Sequence, residues 1–148
     1  MKPKFRAYDG GSLNRMYQPD EVMVGNGDIW IINEDSVAGE WIVNNDLHLM
    51  QSTGILDKNS QEIFEGDIII INAHACIVSF GEYTYFEDAD TEVTEVGFYL
   101  SYLNVSPATY SPFEKFFWEK CQVIGNIHEN ELDLIMYEAW KFNKELEE

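Results

Sequence analysis

Histidine and cysteine side chains are the first candidates for metal or nucleophilic chemistry in this chain. His74 and Cys76 are separated by one residue, whereas Cys121 and His128 lie much further along. A structural zinc site usually takes its four ligands from two closely spaced pairs, so this spacing does not favour one. The N-terminal segment has no apolar stretch typical of a signal peptide. We therefore expect both cysteines to be reduced, buried thiols in a cytoplasmic protein, with a disulfide as the alternative.

Carboxylates are the most numerous reactive groups. Asp88, Asp90 and Glu92 alternate like the ligands of a calcium loop, but Val93 stands where that loop needs glycine and Tyr99 where it needs glutamate. The sequence contains no phosphate-binding glycine motif and no nucleophile elbow. A catalytic triad or a carboxylate pair stays open, because suitable residues are numerous. No motif identifies a reaction, so we lean against an enzyme and expect no metal and no cofactor.

One segment, residues 82–95, contains six acidic residues and no basic residue. It is either a solvated hairpin tip whose aromatic side chains pack into the core, or a surface that binds another protein. A special form of the second interpretation is DNA mimicry, in which carboxylates take the place of phosphates on a DNA-binding protein. The acids are Glu82, Glu87, Asp88, Asp90, Glu92 and Glu95, and the aromatic residues on or beside the segment are Phe80, Tyr83, Tyr85 and Phe86.

The whole chain is acidic. Its 148 residues contain 27 Asp and Glu against 9 Lys and Arg, which gives a net charge of −18. This balance excludes direct binding of DNA or RNA through a basic face, because contacts to phosphates supply much of nucleic-acid affinity. It also disfavours an anionic membrane surface, and no apolar stretch is long enough to span a bilayer. The expected partners are therefore proteins.

Short alternating and β-branched runs between turn residues predict a mainly β (α+β) fold. The turn residues 25–27, Gly-Asn-Gly, separate two such runs and are typical of a tight hairpin. The four isoleucines of residues 68–71 indicate a buried strand that pairs with residues 75–80. We expect a small SH3-like barrel or a strongly bent mixed sheet, because closure of a barrel removes exposed strand edges.

Two helices are predicted near the C-terminus. Ser111, Pro112 and Glu114 match a capping box for a short helix near residues 111–118. Asn130 can cap an amphipathic helix near residues 130–144, where apolar residues recur at helical spacing. We therefore divide the chain into a domain of residues 1–130 and a helical extension of residues 131–148. The extension is expected to pack on that domain or to serve in oligomerisation.

Three ordered segments resemble the YopX family of phage and prophage proteins. They are KFRAYD at residues 4–9, LMQSTGILDKNSQEIFEGDI at residues 49–68 and VIGNIHEN at residues 123–130. Tyr8, Phe64 and His128 depart from the aromatic residues of the family pattern. Ser60 replaces a glycine, which argues against a need for a positive φ in that turn. The resemblance implies a phage or prophage protein made in the bacterial cytoplasm, and it carries over no catalytic or ligand-binding residue.

Polar residues of these segments form the candidate site: Gln51, Thr53, Asp57, Glu65, Asp67 and Asn126. The leading interpretation is that such side chains satisfy backbone groups in turns. The alternative is an enzyme or small-molecule binder that uses the loop carboxylates Asp57, Glu65 and Asp67. The function expected overall is that of an uncharacterised phage or prophage accessory protein. It would act by binding a host or phage protein, with homo-oligomerisation as an option.

Overall fold

The computed structural model of the chain describes residues 4–11, 13–33, 35–71, 74–103, 105–114 and 118–130. These residues form twelve β-strands and one turn of 3-10 helix at Pro19–Glu21. This architecture confirms the predicted mainly β class. The chain divides into two compact units, Met1–Gly54 and Ile55–Glu148. The boundary predicted at residue 130 stays a prediction.

The first sheet of the first unit is antiparallel and has β1 (Phe5–Asp9) at its centre. β1 lies between β2 (Arg15–Tyr17) and β6 (His48–Leu56). Ala7 of β1 is fully buried and pairs with Tyr17 on one side and Leu49 on the other. Ala7 and Tyr17 belong to the apolar core of this unit, which also contains Val22, Ile31 and Leu47.

A second, three-stranded antiparallel sheet completes the first unit in the order β3–β4–β5. Its strands are β3 (Val22–Gly25), β4 (Asp28–Ile32) and β5 (Trp41–Val43). Asn26 and Gly27 connect β3 to β4 with φ angles of 54° and 78°. Two successive positive φ angles are characteristic of the type I′ hairpin turn, so the predicted hairpin is confirmed.

The second unit contains a five-stranded antiparallel sheet that is curled into a half-barrel. In spatial order its strands are β11 (Tyr110–Pro112), β10 (Glu92–Tyr102), β9 (His74–Phe86), β8 (Asp67–Ile71) and β12 (Gln122–Asn126). A short strand, β7 (Glu62–Phe64), precedes β8 and pairs with β6. The predicted pairing of the isoleucine strand is confirmed, because Ile68–Ile71 lies opposite residues 74–77. The core contains Ile63, Ile69, Ile71, Cys76, Val78, Leu100, Phe113 and Cys121.

Strands β9 and β10 extend beyond the rest of this sheet. They pair continuously from Cys76 opposite Tyr102 to Phe86 opposite Glu92. β8 pairs only with residues 74–77 of β9, and β11 only with residues 99–101 of β10. Residues 79–86 and 92–98 therefore form a two-stranded segment, called the ribbon below, which pairs with no third strand among the described residues.

The predicted short helix does not begin at Ser111. Tyr110–Pro112 is a strand, and Ser111 lies opposite Leu100 of β10. The Ser111 hydroxyl forms a hydrogen bond of 2.9 Å with the Tyr102 hydroxyl, so it does not cap a helix. Residues 115–117 lie outside the described residues. Residues 131–148 do too, so the predicted C-terminal helix beyond Asn130 falls outside the described residues and stays a prediction.

Candidate functional site

Asp57, directly after β6, has a buried carboxylate surrounded by backbone N–H groups. Its Oδ1 accepts hydrogen bonds from Asn59 N at 2.8 Å and Gln61 N at 2.9 Å. Its Oδ2 accepts one from Val123 N, in β12, at 2.9 Å. Lys58 N also donates to the carbonyl oxygen of Cys121, at 3.0 Å. These bonds connect the turn of residues 57–61, in the second YopX-like segment (residues 49–68), to the start of the third (residues 123–130). The three YopX-like segments are called the motif segments below.

These bonds set the protonation state of Asp57. Desolvation by burial raises the pKa of its carboxyl group, but hydrogen bonds from the backbone of Val123, Gln61 and Asn59 lower it, as does the charge of Lys58. The lowering effects prevail, so the pKa lies below its ordinary value. A carboxylate that accepts several N–H bonds is stabilised in its ionised form, so Asp57 is a permanent acceptor near neutral pH.

Ser60, in the same turn, has a φ of 66°. The expectation that serine at this position removes the need for a positive φ is therefore wrong. A non-glycine residue in this region crowds its Cβ against the backbone, at a cost of about 1–2 kcal/mol. The Asp57 bonds on both sides of Ser60, to Asn59 N and Gln61 N, hold the turn in this conformation.

Asp67 and Asn126 lie directly opposite each other in the pairing of β8 with β12. Both side chains are buried. Asp67 Oδ2 accepts a hydrogen bond from Phe64 N at 2.8 Å, so its carboxylate closes the turn between β7 and β8. The structure thus brings together two predicted site residues that are far apart in sequence, although each is engaged in local structure.

Gly66 and Glu65 form the turn that precedes Asp67. Gly66 has a φ of 87°; its N–H donates to the carbonyl oxygen of Val78 at 2.7 Å, and its own carbonyl accepts from Ile127 N at 3.0 Å. Glu65 is half-buried and engaged in interactions of its own. This turn therefore joins β9 to the end of β12 through backbone bonds.

Asn126 organises the turn that follows β12. Its Oδ1 accepts bonds from His128 N at 3.0 Å and Glu129 N at 2.9 Å, and its Nδ2 donates to Glu129 Oε1 at 2.8 Å. Asn126 N in turn donates to Asn130 Oδ1 at 3.0 Å. Gly125 lies at a bulge, and a Cβ there would come within 2.5 Å of Asn130 Oδ1. The third motif segment is thus a compact hydrogen-bonded turn.

Gln51 and Thr53, the remaining predicted site residues, lie on β6 in the first unit. Gln51 pairs with Phe5 of the first motif segment, and the neighbouring Ser52 N donates to Lys4 O at 2.8 Å. Both predicted residues are half-buried and engaged in interactions. The side chain of Ser52 accepts a bond from the backbone of Gly54, as expected for a turn-forming residue.

The histidine and cysteine candidates do not assemble a site among the described residues. His74 is exposed, and its ring and that of Tyr102 form a T-shaped contact with centroids 5.5 Å apart. Cys76 and Cys121 are free and buried, as predicted; burial raises the pKa of Cys76 to about 12 and, with the charge of Asp57, that of Cys121 to about 11. No three His, Cys, Asp or Glu side chains in the described ranges gather as metal ligands would.

Two surfaces display apolar side chains instead of burying them. On the β3–β4–β5 sheet, Met23, Trp30 and Val43 form one cross-strand row, and Ile32 and Trp41 form the next. Sequence reasoning missed this surface. The sequence did contain a signal, the run Ile29-Trp30-Ile31-Ile32 of β4, which places apolar side chains on both faces of the strand. Only one of these faces packs on the core of the first unit.

The ribbon is the second such surface, and its two faces differ. On one face the hydroxyls of Tyr83 and Tyr85 donate to the Glu95 carboxylate, at 3.0 and 3.3 Å. The Tyr83 ring stacks on Tyr85 and on Tyr99. Desolvation, followed by the bond to Glu95 and its charge, raises the pKa of Tyr83 to about 12. The other face carries Phe80, Phe86, Val96 and Phe98.

The motif segments decide the family. A family model described as YopX protein matches residues 4–133, which is most of the chain. This chain belongs to the YopX family. The fold of the chain is similar to the crystal structure of protein EF1440 from Enterococcus faecalis, with a TM-score of 0.55 and 25% sequence identity over 90% of this chain and 99% of that one. No curated protein matches the chain significantly.

The YopX motif residues therefore hold turns and strand ends in place. In the first unit, the first motif segment pairs with the beginning of the second. In the second unit, the end of the second segment pairs with the third. No helix in the described part of the chain has the length and apolar character needed to cross a membrane.

Proposed function

We propose that this member of the YopX family is an accessory protein of a phage or prophage that acts in the bacterial cytoplasm by binding another protein. The observation that carries the proposal is the apolar outer face of the β3–β4–β5 sheet. Met23 is 47% exposed, Val43 44% and Trp41 38%, and all three lie on the side opposite the core. Contiguous apolar surface of this kind marks an interaction site on a folded protein.

The composition of this face is that of an interface centre. It combines two tryptophans, a methionine and two β-branched residues, and tryptophan and methionine are enriched where proteins meet. β5 is also an edge strand, since it pairs only with β4 among the described strands. We favour a different protein over a second copy, because two chains of net charge −18 repel each other.

The loop carboxylates support binding over catalysis. Asp57 and Asp67 each accept backbone hydrogen bonds inside the fold. A general acid or base needs a proton-transfer site within reach of a substrate and a pKa near the working pH. The pKa of Asp57 moves in the opposite direction, further below neutral pH.

We rank DNA mimicry below protein binding through apolar contacts. Four apolar side chains, Phe80, Phe86, Val96 and Phe98, share one ribbon face with two carboxylates, Glu82 and Glu92. Glu95, on the other face, is bound by tyrosine hydroxyls. A mimic of DNA would rely on rows of free carboxylates, and its complexes would be lost when duplex DNA is added.

Site-specific photocrosslinking tests the proposal. A photoreactive phenylalanine analogue placed at Trp41 should trap a discrete partner in bacterial cells, whereas the same analogue at Val37 should not. Val37 is a suitable control because it is fully exposed in the same unit but lies outside the sheet. The double variant Trp41→Ser with Val43→Thr should retain its fold by circular dichroism and lose the partner.

Two results would contradict this proposal. One is equal crosslinking from Trp41 and Val37, which would mean that the sheet face has no preferred partner. The other is a crosslink only to a second copy of the chain, matched by a dimer in sedimentation that the double variant abolishes. Duplex DNA that prevents the crosslink when it is added before irradiation would favour the mimic.

A further inference from the structure

On one face of the ribbon, the apolar side chains of the core of the second unit are followed by apolar side chains that are exposed to solvent. On this face Val78 and Leu100 are fully buried. Two residues further from the core, Phe80 is 47% exposed and pairs with Phe98, their ring centroids 4.9 Å apart. Further still, Val96 is 72% exposed and Phe86 67%. The outer ribbon thus presents apolar side chains in the arrangement of a sheet face whose covering layer is missing.

Carboxylates interrupt this apolar strip at regular positions. Glu82 lies opposite Val96, and Glu92 lies opposite Phe86. Both glutamates are exposed, and no described residue donates a hydrogen bond or an ion pair to either of them. Their situation differs from that of Glu95, whose carboxylate is occupied by Tyr83 and Tyr85 on the opposite face.

We propose that this face of the ribbon binds a basic, amphipathic polypeptide segment of a partner protein. Apolar side chains of that segment would cover Phe80, Val96 and Phe86, and its Lys or Arg side chains would pair with Glu82 and Glu92. The ribbon and the connection between its strands have six acidic residues between positions 82 and 95 and no basic one, so only a cationic occupant complements this charge. A second copy, a nucleic acid or an anionic membrane would add negative charge to this surface.

The ribbon also specifies the spacing of the charges in an extended occupant. The pairs Glu82–Val96 and Phe86–Glu92 are four residues apart along each strand. At about 3.3 Å per residue this separation is about 13 Å. Between the two pairs on the same face, Thr84 lies opposite Thr94, and the two hydroxyls form a hydrogen bond of 2.9 Å. An extended segment would therefore match the ribbon if its two cations stood four positions apart on one face, with a small residue over the threonine pair and apolar residues on either side.

Binding of short synthetic peptides to the full chain tests the inference. The probe carries lysines at positions i and i+4, threonine at i+2 and valines at i−2 and i+6, so that all five side chains lie on one face of an extended strand. One control peptide has glutamate in place of both lysines, and another has the same residues in scrambled order. We expect the probe to bind by calorimetry at about 0.15 M salt. The glutamate peptide should not bind. The scrambled peptide should bind at least about tenfold more weakly than the probe, which corresponds to the loss of about one charge contact.

Matched variants separate specific contacts from general charge attraction. Glu82→Gln with Glu92→Gln should weaken binding of the probe by about tenfold. Glu87→Gln with Asp90→Asn removes the same charge at the ribbon tip, away from the apolar strip, and should change binding less than twofold on the same scale. Val96→Thr with Phe86→Thr keeps β-forming residues at two exposed positions and should also weaken binding about tenfold.

Any of four outcomes would overturn the inference. Equal losses in the two charge variants, or equal binding of ordered and scrambled peptides, would reduce the effect to net charge. Binding that is unchanged in the Val96→Thr, Phe86→Thr variant would show that the apolar strip makes no contact with the peptide. A dimer of the wild-type chain that is absent in the same threonine variant would show that this face binds a second copy. The Trp41→Ser, Val43→Thr variant should bind the probe normally, so a failure here is distinguishable from a failure of the proposed function.

Discussion

Asp57 Oδ2 accepts a hydrogen bond from Val123 N at 2.9 Å, across 66 positions of the sequence. With its other oxygen the same carboxylate closes its own turn through Asn59 and Gln61. The Asp57 side chain therefore stabilises both its own turn and the contact with β12. Its loss should weaken the connection of the second motif segment to the third.

Replacing Asp57 with asparagine should destabilise the protein by about 2 kcal/mol, because an amide NH2 would face one of the three backbone N–H groups and leave it unsatisfied in a buried position. Urea unfolding at pH 7 measures the change. Asp46→Asn is the matched control, since Asp46 is exposed and no described residue donates a hydrogen bond to its carboxylate. Equal midpoints for the two variants would contradict the structural role of Asp57.

The stability of the protein should fall in acid in a way that depends on Asp57. Its folded-state pKa is lower than its ordinary value, so its ionised form contributes stability at pH values above that of the unfolded chain, about 3.9. This contribution is lost as the pH falls through the folded-state pKa. Asp57→Asn should therefore show a smaller loss of stability below about pH 4 than the wild type. Parallel pH profiles for the two proteins would count against this assignment.

Replacing Ser60 with glycine should stabilise the protein by as much as about 1 kcal/mol, because glycine adopts a positive φ without crowding its Cβ. The greater freedom of glycine in the unfolded chain offsets part of this gain. Ser60→Ala is the control that keeps the strain and removes only the hydroxyl. Thermal unfolding of both variants measures the effect, and a glycine variant less stable than the alanine variant would show that the backbone is not strained here.

Replacing Gly125 with alanine should cost about 1–3 kcal/mol, because the new Cβ would overlap the Asn130 side chain. Relief requires that side chain to move, which breaks the bond from Asn126 N to Asn130 Oδ1. The cost should therefore shrink when Gly125→Ala is made in an Asn130→Ala background. A double-mutant cycle by urea unfolding measures this coupling, and strict additivity would mean that the alanine is accommodated elsewhere.

Both thiols should be unreactive in the folded protein. Cys76 and Cys121 are fully buried, with pKa values raised to about 12 and about 11, so the reactive thiolate is scarce at pH 8. Labelling with a disulfide reagent should be at least about a hundredfold slower in the native state than in urea. Rapid native labelling of one cysteine would show that its part of the core opens readily.

Local features of this fold could be predicted from neighbouring residues. Asn26 and Gly27 encode a type I′ turn because they tolerate positive φ angles. The isoleucine run of β8 indicates a buried strand because β-branched side chains favour extended backbone. The capping pattern at Ser111 failed for a tertiary reason. β10 pairs with this segment, and the Ser111 hydroxyl bonds to Tyr102 instead of a helix terminus.

By itself, the sequence determined the strong negative charge, the mainly β class and the three YopX motif segments, since these depend on composition and on contacts between near neighbours. Only the tertiary structure decided what the motif residues do. Asp57 can accept the hydrogen bond from Val123 N only because β12 pairs with β8 in a particular register, and these strands are far apart in sequence. The exposure of Trp41 and Val96 depends equally on which sheet faces the fold leaves uncovered.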